Sequence, residues 1–177
     1  ISKSMFPNEK LNYLSTILSN LKSVDDFQKT VMVKAVEWDL QNTFTSFTYD
    51  GVEFLKDLPN KYLLMSNHRD IMLDSSLLQY FLVTQDFDTT EITFGANLMM
   101  SQLIVDIGKC NKMFRVERPG GSVKDFYRSS LHLSEYIRYT IAEKQQSVWI
   151  AQRNGRTKDG YDATDQGIIK MFCMSES

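Results

Sequence analysis

The stretch Lys61-Tyr62-Leu63-Leu64-Met65-Ser66-Asn67-His68-Arg69-Asp70-Ile71-Met72-Leu73-Asp74 decides how the chain is read. Lys61 to Ser66 is short, mostly apolar and preceded by Leu58-Pro59-Asn60, the pattern of a strand buried on both faces of a parallel sheet. Past Ser66, Leu73, Leu77, Leu78, Phe81 and Leu82 recur at threes and fours and predict a helix. The same alternation continues downstream. Glu91 to Phe94, Lys112 to Val116 and Ser147 to Gln152 have strand character, whereas Leu98 to Ile107 and Val123 to Lys144 have helical periodicity. Strand alternating with helix predicts an α/β fold, a single domain with a mostly parallel or mixed sheet and crossover helices. Upstream, Leu11, Leu14, Ile17, Leu18 and Leu21, then Phe27, Val31, Ala35 and Trp38, predict two helices that part near Ser23 to Asp25. An N-terminal helical segment over 1–42 therefore precedes an α/β domain over 43–177. Thr43 to Tyr49 is rich in β-branched and aromatic residues and ends at the turn pair Asp50-Gly51, so it is expected to be a strand.

The chain has 177 residues, 42% hydrophobic and 24% charged, which suits a globular domain with a sizeable core. A net charge of -2 lacks the basic excess of a domain that tracks nucleic acid, so no nucleic-acid partner is expected. Cys110 and Cys173 are far apart and lack metal-ligand spacing, so they hold no metal by this reading and are expected to be thiols of a reducing, cytoplasmic compartment. The apolar runs fall short of the ~20 residues that a spanning helix requires, so any membrane contact is expected to be peripheral.

In open α/β sheets, ligands bind at the carboxyl ends of the strands. Three segments there carry chemistry: Asn67 to Asp74, Arg115 to Gly121 and Arg153 to Gly160. A histidine with carboxylates nearby has the parts of a general base and its orienting partner. On a regular helix neither Asp70 nor Asp74 would face His68, because facing pairs lie three or four residues apart. For either pairing to work, His68 must sit in the turn before the helix. Asp74 can then reach back from the first helical turn, with Asp70 as its rival or as a helix cap. His132, between two leucines of the long predicted helix, reads as structural. Arg115 and Arg118 flank Glu117, either as a solvated edge or as phosphate-binding forks. In Asn154-Gly155-Arg156, the glycine would let the backbone approach a ligand that the arginine closes on.

Taken in order, these segments resemble the signatures of the glycerol-3-phosphate and lysophosphatidic-acid acyltransferases. Ser66-Asn67-His68 followed by Leu73-Asp74 is similar to the first signature, a histidine, four residues and an aspartate, with one residue inserted here. The resemblance implies Asp74 as the partner of His68. Phe114 to Arg118 resembles the second signature and implies that Arg118, with Arg115 in reserve, contacts the acceptor phosphate. Asn154-Gly155-Arg156 resembles the third, with Asn154 where the family carries glutamate and Gln152-Arg153 where it carries Phe-Pro. The fourth, an apolar-Pro segment, is missing, since no proline follows Pro119, and the domain is expected to be truncated at its C-terminus. His68-Arg69-Asp70 also resembles a protein-kinase catalytic loop, but Ser75 stands where that loop needs asparagine.

The resemblance implies an O-acyltransferase of phospholipid synthesis, with no metal and no bound cofactor needed. Its donor would be acyl-coenzyme A or acyl-carrier protein, its acceptor a glycerol phosphate or lysophospholipid, and its place the cytoplasmic face of a membrane. The neutral Asn154 also allows an impaired relative that binds acyl or phospholipid ligands without turning them over.

Overall fold

Four short apolar runs, β1 (Leu63–Ser66), β2 (Glu91–Gly95), β3 (Met113–Val116) and β4 (Val148–Ala151), pair into one parallel sheet in the order β1-β4-β2-β3. The computed structural model describes residues 11–56, 61–117 and 122–175. Its helices are α1 (Leu11–Asn20), α2 (Val24–Phe27), α3 (Val33–Thr43), α4 (Val52–Lys56), α5 (Leu73–Thr84), α6 (Gln102–Cys110), α7 (Val123–Ala142) and α8 (Gln166–Phe172). The fold is thus α/β with an N-terminal helical segment, as the alternation of patterns predicts. Among the described residues no helix is long and apolar enough to cross a membrane.

By contacts the chain divides into two units, one over Ile1–Asp57 and Ser76–Asp88, the other over Leu58–Ser75 and Thr89–Ser177. In the first, the side chain of Ser23 caps α2 by accepting from Asp26 N–H at 3.0 Å. A π-helical turn, Gln28–Met32, joins α2 to α3. The strand expected over Thr43 to Tyr49 does not form. Thr43 ends α3, and the chain beyond it pairs with no strand among the described residues. Its aromatic rings pack instead on α5: Tyr49 meets Phe81 edge-on at 4.7 Å, and Phe47 meets Tyr80 at 6.3 Å. The turn at Asp50-Gly51 is present, with Gly51 at φ 83°, a conformation that disfavours any residue with a Cβ.

The second unit contains the whole sheet. Leu133 and Ile137 of α7, one helical turn apart, meet Val148 of β4 to form its core, and Leu63, Phe114, Val116, Met171 and Phe172 pack around them. Burial of each such side chain stabilises by roughly 1.5–3 kcal/mol. Serines complete the inner face of α7. Ser134 Oγ donates at 3.0 Å to the Phe172 carbonyl, which the end of α8 would otherwise leave unpaired, and Arg138 donates to the same oxygen.

At the amino end of β2, Glu91 is buried. Its carboxylate accepts from Tyr136 Oη at 2.7 Å and from Lys144 Nζ. Burial, and then Glu91, push the Tyr136 phenol upward. Burial depresses Lys144, but its bonds to Glu91 and Tyr136 outweigh this and leave it raised. Both groups hold their protons more tightly in the folded state. The stability they contribute is full below their unfolded values near about 10 and is lost as pH rises through the folded ones. Urea denaturation should therefore show stability falling above roughly pH 10. Lys144→Met should cost about 1–3 kcal/mol at neutral pH, because Glu91 loses a partner, and should flatten that fall.

Candidate active site

β1 ends at Ser66, and the next residues turn back before α5 begins at Leu73. Asp70 shapes the turn: its Oδ1 accepts from Met72 N–H at 2.8 Å and Leu73 N–H at 2.9 Å, capping the new helix. Those two N–H groups, Leu73 first, hold the Asp70 carboxyl below its usual range, with Arg156 and His68 adding in the same direction. Asp74 then reaches back from the first helical turn. It accepts from Arg69 N–H at 2.8 Å, from Asp70 N–H at 3.1 Å and from His68 Nδ1 at 3.0 Å. His68 lies in this turn, before the helical geometry of α5 begins at Leu73. Asp74, and not Asp70, is therefore the carboxylate that faces the imidazole. A carboxylate oxygen only accepts, so the Nδ1 proton points at Asp74 and the Nε2 lone pair is left to take a proton. The two side chains are largely buried, 17% and 14% exposed.

The segment after β4 lies against this turn. Gln152 N–H donates to the Ser66 carbonyl at 2.9 Å, extending the β1–β4 ladder, and Thr157 N–H donates to the His68 carbonyl at 2.8 Å. Gln152 Nε2 donates to Asn67 Oδ1 at 3.0 Å, while Thr164 donates to Gln152 Oε1 at 3.1 Å. Arg153 is committed within its own loop, donating to the Tyr161 carbonyl at 3.2 Å. Gly155, at φ 81° and with open space where a Cβ would stand, turns the chain between Asn154 and Arg156.

A cavity of about 700 Å³ opens in this unit, lined by His68, Asn154, Gly155 and Arg156 together. Its walls are mainly apolar, with Phe94, Val116, Phe126, Leu133, Trp149 and Met171 among them. Trp149 is buried, and its indole N–H is satisfied by Ser66 Oγ at 3.1 Å. Lys158 and Lys170 also line the cavity, as do the carboxylates Glu117 and Asp165. Arg115 does not: it is 59% exposed, and its Nε pairs with Glu117 at 2.6 Å. Arg118 lies outside the described residues. Of the residues singled out in the sequence, the structure thus joins His68 and Asp74 to Asn154, Gly155 and Arg156, and leaves Arg115 at the surface.

Asn67, Gln152 and Asp162, which hold the two segments together, are not singled out by sequence reading. Each finds its partner only through the fold, and no local sequence pattern points to it. The arrangement sets the His68–Asp74 pair at the edge of a mainly apolar chamber that Arg156 also lines. Asp70→Ala should lower stability by about 1 kcal/mol through loss of the cap, measured by urea denaturation. The wild-type protein should lose that contribution as pH drops below about 4, since a depressed carboxyl stabilises only while ionised. In comparisons with known proteins, no family model and no curated protein matches the chain.

Proposed function

We propose that the chain is an acyltransferase that moves a fatty acyl group from a thioester, on coenzyme A or an acyl-carrier protein, to a hydroxyl of a glycerol phosphate or lysophospholipid. The observation that carries this is His68, bound through Nδ1 to Asp74, lining one apolar cavity with Arg156. His68 Nε2 takes the hydroxyl proton as the acceptor oxygen attacks the thioester carbonyl. The resulting tetrahedral adduct collapses, the carbon–sulfur bond breaks, and the imidazolium returns the proton to the departing thiolate. Asp74 stabilises the imidazolium between these steps. Arg156, which lines the cavity with His68, binds the acceptor phosphate, and the apolar walls receive the acyl chain. We place the reaction at the cytoplasmic face of a membrane, where a lipid acceptor and its product reside.

Asn154 favours a second reading, a protein that binds acyl or phospholipid ligands without turnover, because it lines the cavity where the resembled family has a charged glutamate. Release of free thiol from acyl-coenzyme A, with glycerol-3-phosphate or lysophosphatidate as acceptor, separates the two. His68→Ala should reduce transfer about 10²–10⁴-fold; equal rates in both proteins would exclude His68 as the base. Arg156→Ala should raise the acceptor KM by about 10- to 100-fold, from loss of a charge-assisted bond worth roughly 1.5–3 kcal/mol. Binding of acyl-coenzyme A with no turnover of either acceptor would favour the second reading.

A further inference from the structure

We propose that Asp162 is a positioning residue: its carboxylate clasps Asn67 and Arg69, the two residues that bracket His68, and so fixes the imidazole relative to the Asn154-Gly155-Arg156 loop. One oxygen, Oδ2, makes both contacts, accepting from Asn67 Nδ2 at 3.0 Å and from Arg69 Nη2. Asn67 is thereby committed at both ends of its amide, since its Oδ1 accepts from Gln152 Nε2. The relay continues through Gln152 to Thr164, and Gln152 carbonyl accepts from Asp165 N–H at 2.8 Å. The histidine turn is thus held from the loop that also presents Arg156, across more than 80 residues of sequence.

The contacts are poorly suited to a purely stabilising role. Arg69 is 57% exposed while Asp162 is 14% exposed, and an ion pair with one partner so open is worth only about 0–1 kcal/mol. The other oxygen, Oδ1, is buried with no hydrogen-bond partner among the described residues. Asn67 is exposed, so water can satisfy its amide once Asp162 is gone. Removing the carboxylate should therefore cost little stability. It should cost much more in placement, because a base displaced by about 1 Å can lose 10²-fold in rate. Asp74 secures the ring from the helix side; on the loop side Thr157 N–H holds the His68 carbonyl, and Asp162 holds the side chains of the flanking Asn67 and Arg69. With the Asp162 hold released, the two residues beside His68 are free to turn about the remaining Thr157 bond, and the Nδ1–Asp74 bond is made only part of the time.

The activity arm of the test rests on the acyltransferase reading; the spectroscopic arm does not. The chain has only two histidines, so ¹⁵N-histidine labelling gives two sets of ring signals, which a His132→Gln variant assigns. In the wild type at a pH where His68 is neutral, its ring should carry the proton on Nδ1 alone. In Asp162→Ala, and in Asn67→Ala as a second variant at an exposed position, the ring should exchange between both tautomers. In both, kcat should fall about 10- to 100-fold with the thioester KM little changed. Asp162 is merely structural if the ring keeps one tautomer in the folded variants, or if kcat is undiminished in a protein that turns over. If the wild type consumes no thioester with any acceptor, the acyltransferase reading fails, and the tautomer of His68 still decides the role of Asp162.

Discussion

The pairing of β4 alongside β1 is the constraint on which the site depends. These are the last and first strands of the sheet in sequence, and their parallel register sets Ser66 opposite Ala151, so both chains leave the sheet at the same edge. Parallel pairing makes the carboxyl ends coincide, and whatever follows each strand must share that edge. His68 and Arg156 are brought together by this register. The bonds from Gln152 to Ser66 and from Thr157 to His68 extend the ladder past the strands and leave the two segments little freedom to drift apart.

Within that frame, Asp74 sets the local chemistry. Three N–H groups converge on its carboxylate, two from the backbone of the turn and one from the imidazole. The backbone bonds keep the carboxylate in place, facing Nδ1 of His68. Asp70, its rival in the sequence, caps the helix through Oδ1. The two aspartates divide the work of one turn: one shapes it, the other charges it.

The strands and the long helix were legible because buried parallel strands read as continuous apolar runs and α7 repeats its apolar residues at helical spacing. The stretch Thr43 to Tyr49 misleads for a physical reason. Its aromatic and β-branched residues answer the needs of packing on Tyr80 and Phe81 as well as those of a strand, and composition does not distinguish the two. Strand order was not legible, since no local pattern says that β4 inserts between β1 and β2. For the same reason Asn67, Gln152 and Asp162 stayed hidden: each finds its partner through the fold. Arg115 shows the converse, a residue with the right chemistry that the pleat of β3 turns outward to Glu117.

The central claim is that one cavity holds an acyl chain and presents its carbonyl to His68. A crystal structure of the chain with a ketone analogue of acyl-coenzyme A, in which a methylene replaces the thioester sulfur, tests this most directly. The account predicts an acyl chain lying against Phe94, Leu133 and Trp149, with space beside His68 Nε2 for an acceptor oxygen about 3–3.5 Å from the carbonyl carbon. An acyl chain bound outside this cavity, or a carbonyl that no acceptor held by Arg156 and His68 can reach, would contradict it.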